Sequence, residues 1–271
     1  MKYTNINGKL IPAAEATVPA SSRAFRYGYG LFETMLCIDG ELQLAAYHWQ
    51  RLFEGMELLH YELPQHFTVE MLEKEILKTI AKNQLQKLCR IRLQVYPGSG
   101  GLFEMEDRKP QYLIECYELE PGIIKLNENG LTLGIYSNMR KSNDVIANLK
   151  SCNALIYAMA AREAKEQQWN DALVCNTAGN IIESAIANIF WVKDNQLFTP
   201  HLYEGCIAGV MRRHIMENFE VTEQPLSAKM LHNADEIFLT NAIRRIKWVK
   251  QIDNTTYHKD YIQHVYGKLF L

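Results

Sequence analysis

"DALVCNTAGNIIESAIANIFWVKDNQLFTP", residues 171–200, decides how the second half of the chain is read. Short apolar runs are broken by turn-forming residues at Ala178-Gly179-Asn180 and at Asp194-Asn195. Runs of four to six residues rich in Ile, Val and Phe, punctuated in this way, predict a β-meander. Downstream, "CIAGVMRRHIMENF" starts a helix after a glycine, "DEIFLTNAIRRIKWVKQID" is β with a turn in its middle, and "HKDYIQHVYGKLF" closes as a short helix. Upstream, a helix is expected over roughly 153–168, preceded by the strand "LTLGIYS". Before that, "ELEPGIIKLNENG" (118–130) carries a Pro-Gly pair and little periodicity, the marks of a linker.

The first half repeats the alternation of β and α. "NGKLIPAAEATVPA" is a small strand-and-turn region, and "YGYGLFETMLCIDGELQL" predicts a hairpin turning at Asp39-Gly40. Helical spacing then places Leu52, Phe53, Met56 and Leu59 on one face, and "TVEMLEKEILKTIAKNQL" is a second amphipathic helix. Its cap candidate, Thr68, has no glutamate three residues on. "CRIRLQVYP" and "QYLIECYEL" read as strands around "GSGG". The predicted fold class is α+β, in two lobes with mixed β-sheets and flanking helices: 1–119, an N-terminal lobe, and 120–271, a C-terminal lobe.

Of 271 residues, 48% are apolar and 22% charged, the balance of a globular protein, and the net charge is −2. No basic field asks for nucleic acid. No run approaches the ~20 apolar residues of a membrane span, and the first residues lack a signal-like apolar core. A cytoplasmic location is the expectation, with no membrane partner. Six cysteines without a CxxC pair read as buried free thiols, and no metal site is expected.

Four features could carry chemistry. Lys150 stands alone in the uncharged stretch "IANLKSCNALIYA". A lysine there either snorkels to water or presents a nucleophilic amine. Glu183 sits among isoleucines and alanines, where a carboxylate asks for a cationic partner. "GCIAGVMRR" runs a glycine-bearing loop into a helix start, whose free N–H groups suit a phosphate. Arg51 offers a planar fork that also suits phosphate. Amine, carboxylate and two phosphate-holding devices together match pyridoxal phosphate, one option among several on chemistry alone.

The order of these pieces resembles the fold-type IV, or class IV, pyridoxal-phosphate enzymes: aminodeoxychorismate lyases, branched-chain aminotransferases and D-amino acid aminotransferases. "SSRAFRYGYGLFETM" is similar to the family's early segment, with Ser22 and Tyr29 where aspartates are usual. "YHWQRL" resembles the HxxRL segment of the phosphate-binding arginine, here Arg51, and "NLKSCN" the segment of the Schiff-base lysine, here Lys150. The 171–200 stretch resembles the one whose glutamate, here Glu183, faces the pyridine nitrogen. "CIAGVMR" resembles the phosphate loop, implying Gly209, Val210 and Met211, and "DEIFLTNAI" a second phosphate-side turn, implying Asn241 and Ala242.

Within the family the lyase pattern is nearest. The resemblance implies a fold like that of D-amino acid aminotransferase, a small-molecule amine substrate, a homodimer, and a lyase of folate biosynthesis releasing 4-aminobenzoate and pyruvate. Amino acid transamination is the alternative, and a non-catalytic binding module on the same fold is the rival of another class. Substrate candidates are Tyr27, Tyr29, Phe32, Arg92 and the loop 97–102, with Arg23 read as structural. Pro97 and Leu102 stand where arginines commonly flank the lyase loop, a departure that bears on an acidic substrate. Arg90 and Arg92 could equally be a solvated pair on one sheet face.

Overall fold

The structure is a computed structural model that describes residues 1–100, 103 and 107–271. It divides into two compact units. The first comprises Met1–Ile123 with Leu149–Asn153, and the second Ile124–Asn148 with Ala154–Leu271. The five residues around Lys150 therefore belong to the first unit, although the chain on both sides of them belongs to the second.

The first unit contains β1 (Tyr3–Ile6), β2 (Lys9–Pro12), α1 (Arg23–Tyr27), β3 (Leu31–Ile38), β4 (Glu41–Leu42), α2 (Ala45–Leu58), α3 (Val69–Asn83), β5 (Leu88–Pro97) and β6 (Pro110–Glu118). Its strands form one sheet in the order β2-β1-β6-β5-β3-β4, antiparallel at every step. The β3–β4 hairpin turns at Asp39 and Gly40, both with positive φ, as a two-residue turn that matches strand twist requires. α2 and α3 cover one face. Leu52, Met56, Leu72 and Ile76 pack there with Met35, Ile91 and Leu93 in a buried core. Thr68 does cap α3, its hydroxyl accepting from the Met71 N–H at 3.2 Å, so the missing glutamate left the cap intact.

In the second unit run β7 (Leu131–Lys141), α4 (Leu155–Glu166), β8 (Asp171–Asn176), β9 (Ile181–Ser184), β10 (Asn188–Lys193), β11 (Gln196–Thr199), α5 (Val210–Asn218), β12 (Val221–Glu223), α6 (Ala228–His232), β13 (Glu236–Asn241), β14 (Arg245–Ile252), β15 (Thr255–Thr256) and α7 (Asp260–Phe270). The meander is present as β8 to β11, and the β10–β11 turn places Asp194 and Asn195 at positive φ. This sheet is mixed: β7 runs parallel to both β8 and β14, and β11 to β12. One ladder step, Asn188 opposite Glu183, joins β9 to β10 and closes the circuit β10-β13-β14-β7-β8-β9. Alternation along the strands supplies two apolar surfaces. Leu173, Ile189, Leu239 and Val249 share one core cluster; Ala172, Val174 and Ile182 share another with Ala160 and Ala164 of α4.

Candidate active site

Lys150 stands outside any helix, since α4 begins only at Leu155. Its segment instead extends the sheet at the start of β3. The Phe32 N–H donates to the Lys150 carbonyl at 2.9 Å, and the Cys152 N–H donates to the Gly30 carbonyl at 2.8 Å. Gly30 is needed for this approach, because a Cβ there would lie 2.9 Å from the Val95 carbonyl oxygen. Lys150 is half-buried, and its Nζ lies 4.5 Å from the centre of the Phe32 ring. The Arg92 guanidinium carbon lies 3.9 Å from the centre of the same ring. Register explains the meeting: Thr34 pairs with Arg92 and Phe32 with Gln94, so all four side chains share one face of the sheet. Arg92 also reaches Gln94 at 3.1 Å, and burial pushes its guanidinium down from its ordinary value.

Arg51 lies on α2 beside Glu33, which β3 turns to the opposite face from Phe32. Arg51 Nε donates to Glu33 Oε1 at 2.8 Å and Nη2 to Oε2 at 2.5 Å, a two-pronged pair. His48 Nδ1 lies 2.6 Å from the same Oε2. Burial alone would raise the Glu33 carboxyl, but Arg51 and His48 outweigh it and hold it down to about 2. Burial dominates at His48 and pushes it down despite Glu33. A neutral His48 then donates its Nδ1–H and keeps Glu33 oriented toward Arg51. Neither Glu33 nor His48 is singled out by the sequence; the i, i+3 spacing of His48 and Arg51 on one helix was the available signal.

The other sequence candidates of this unit divide by what they touch. The Tyr29 hydroxyl donates to the Leu59 carbonyl at 2.6 Å, and the Tyr27 ring lies 5.6 Å from that of Phe103, tilted by 40°. Arg23 is buried and donates to the Phe103 carbonyl. Pro97 ends β5, while Gly101 and Leu102 lie outside the described residues.

Glu183 in the second unit is 2% exposed, and the cation it needs is Lys141, the last residue of β7. Lys141 Nζ and the Tyr157 hydroxyl both donate to Glu183 Oε1, at 2.9 and 2.7 Å. Oε2 accepts the Ile207 N–H at 2.9 Å. Asn188, opposite Glu183 in the ladder, donates Nδ2 to the Ile207 carbonyl at 2.9 Å. Ile207 is thus gripped at both ends of its peptide unit, just before Gly209 caps α5. A Cβ at Gly209 would lie 1.8 Å from Asn188 Oδ1, so a side chain there would have to displace the Asn188 amide. The N–H groups of Val210 and Met211 open the helix, where a phosphate finds donors and a favourable dipole. Two residues before Lys150, Asn148 donates to the Leu202 and Cys206 carbonyls, and its own carbonyl accepts from the Ala208 N–H. Asn241 closes the β13–β14 turn: its Oδ1 accepts from the Ile243 and Arg244 N–H groups, and its Nδ2 donates to the Ile186 carbonyl. Its side chain is committed to backbone, and Ala242 follows within that turn.

Taken unit by unit, these groups are of the kinds that hold pyridoxal phosphate. There is an amine on a strand extension, an arginine fork held by a buried carboxylate, a glycine-capped helix start, and a second carboxylate shielded from water. The solved structures agree on the fold. Branched-chain amino acid aminotransferase from Escherichia coli superposes with a TM-score of 0.84 at 25% identity, covering 99% of this chain and 94% of that one. The T.th. branched-chain amino acid aminotransferase with pyridoxamine 5'-phosphate superposes at 0.86 with 22% identity, covering 98% and 92%. The architecture is that of the fold-type IV pyridoxal-phosphate enzymes. The model of the class IV amino-transferase family matches residues 30–252, and the chain belongs to this family. It is therefore a pyridoxal-phosphate-dependent enzyme. Among its relatives is a putative branched-chain-amino-acid aminotransferase of Methanocaldococcus jannaschii, 29% identical over 97% of this chain and 92% of its own length. Another is an aminodeoxychorismate lyase of Bacillus subtilis, 28% identical over 93% and 87%.

Proposed function

We propose that the protein is a 4-amino-4-deoxychorismate lyase, releasing 4-aminobenzoate and pyruvate. The observation that carries this reading is the Phe32 ring, which bears the Lys150 amine and the Arg92 guanidinium at 4.5 and 3.9 Å. A proton-moving amine beside a carboxylate-holding cation suits a flat, anionic, amine-bearing substrate. The bound cofactor supplies an electron sink for the carbon that bears the substrate amine. Lys150 would hold the cofactor through its amine and, when free, would take the proton from that carbon. Arg51, kept in place by Glu33, would bind the phosphate together with the Gly209–Met211 helix start. Glu183 would pair with the pyridine nitrogen, and Phe32 and Arg92 would orient the substrate. The likeness to the Bacillus subtilis lyase supports this choice.

Amino acid transamination is the second reading, favoured by the same Arg92. A guanidinium on β5 serves the carboxylate of an amino acid equally well, and the Methanocaldococcus relative carries an aminotransferase name. One experiment separates the two. The protein loaded with pyridoxal phosphate is given aminodeoxychorismate, and in parallel L- and D-amino acids with 2-oxoglutarate. Formation of 4-aminobenzoate and pyruvate supports the lyase; turnover of amino acids alone removes it and leaves the family assignment intact. The reading includes a homodimer, for which sedimentation is expected to give twice the 31.3 kDa of the chain.

A further inference from the structure

Lys141 has no part in the chemistry set out above, yet it lies against the most protected carboxylate of the second unit. Glu183 Oε1 accepts two donors, the Lys141 ammonium at 2.9 Å and the Tyr157 hydroxyl at 2.7 Å. Lys141 Nζ and the Tyr157 oxygen are themselves 2.5 Å apart. The three side chains come from three elements, β7, α4 and β9, so the cluster is fixed by the fold of the unit rather than by one flexible loop. Burial, reinforced by Glu183, pushes the Tyr157 phenol far up, so it remains a neutral donor. Cys206, on the loop before α5, is pushed up to about 12, by burial first and Glu183 next, and adds no charge. Arg212 of α5 is paired with Glu223. The charge that Glu183 meets is the ammonium of Lys141, at salt-bridge distance.

A carboxylate has about four lone-pair sites. Lys141 and Tyr157 take both on Oε1, and Ile207 takes one on Oε2. The remaining Oε2 site is the one open to a further donor. We propose that Lys141 is a positioning and tuning residue: by holding Glu183 through Oε1, it limits how firmly that carboxylate keeps a proton on the cofactor's pyridine nitrogen. The proposal rests on the reading of Glu183 as the ring-nitrogen partner. An ammonium and a pyridinium drawing on one carboxylate are like charges, and each would disfavour the other. Tyr157 contributes in the same sense without a charge, as a hydrogen bond that stabilises the carboxylate.

The test reads the ring nitrogen directly, in enzyme loaded with ¹⁵N-labelled pyridoxal phosphate and titrated by NMR. Lys141→Met is expected to raise the midpoint of ring-nitrogen deprotonation by about one pH unit or more. Tyr157→Phe raises it by less, and Lys141→Arg leaves it near the wild-type value. A Lys141→Met protein that holds the cofactor with an unmoved midpoint overturns the proposal. Should Lys141→Met fail to fold, Lys141→Gln takes its place, and an unmoved midpoint there overturns the proposal equally. Glu183→Gln is the control for the underlying reading. A wild-type midpoint in that variant refutes the assignment of Glu183 itself, a result distinct from failure at Lys141.

Discussion

Glu33→Gln removes the charge that the Arg51 fork and His48 are built around. Glu33 is 1% exposed and accepts from Arg51 at 2.8 and 2.5 Å and from His48 at 2.6 Å. Its carboxyl is held at about 2 against an ordinary 4.5. At about 1.36 kcal/mol for each tenfold change in proton affinity, that difference corresponds to about 3 kcal/mol of stability at neutral pH. The figure agrees with the ~3–5 kcal/mol lost when one partner of a buried ion pair is removed. The sign follows from the depressed value. The contribution is complete above pH 4.5 and is lost as pH falls toward 2, with about 1.4 kcal/mol left at pH 3. Urea unfolding of cofactor-free wild type and Glu33→Gln, followed by far-UV circular dichroism at pH 7 and pH 3, measures both quantities. A loss under about 1 kcal/mol at pH 7, or an equal loss at the two pH values, refutes the reasoning.

Other substitutions probe the remaining parts. Lys150→Ala should lower turnover by about 100- to 10,000-fold, the usual contribution of a positioned acid–base group; product formation under saturating pyridoxal phosphate checks it. Glu183→Gln should lower the rate by about 100-fold, as loss of a preorganised charge does, and an unchanged rate would place the ring-nitrogen partner elsewhere. Gly134→Ala should destabilise by about 1–3 kcal/mol, because a Cβ there lies 2.3 Å from the Trp169 ring; the thermal midpoint reads this.

Turn chemistry and apolar periodicity made most of the fold legible. Asp39-Gly40 and Asp194-Asn195 turn where their positive φ is favoured, and the long helices follow their apolar stripes. Short elements escaped: α1, β12 and α6 span three to five residues each, too few for a period to emerge. The same limit hid Lys141. The apolar run of β7 fades at Ser137, yet the strand continues through Ser137, Asn138, Met139 and Arg140 to Lys141, and only there does the cation reach Glu183. Glu33 was hidden for a different reason. Period two puts it on one face with Leu31 and Met35, but that α2 brings Arg51 and His48 against it is a tertiary fact that local pattern does not carry. Lys150 drew attention by its isolation, but its strand-like pairing to β3 depends on residues more than a hundred positions away.

The grip on Ile207 ties Glu183 to the start of α5 through one peptide group. Its N–H belongs to the glutamate at the seam of the closed strand circuit, and its carbonyl to the asparagine across that seam. On the proposed roles, a change meant for the ring end of the cofactor would travel into the turn before α5, and the reverse. Engineers who wish to alter one end alone will find the two knotted, and paired substitutions at Glu183 and Asn188 will not behave as independent edits.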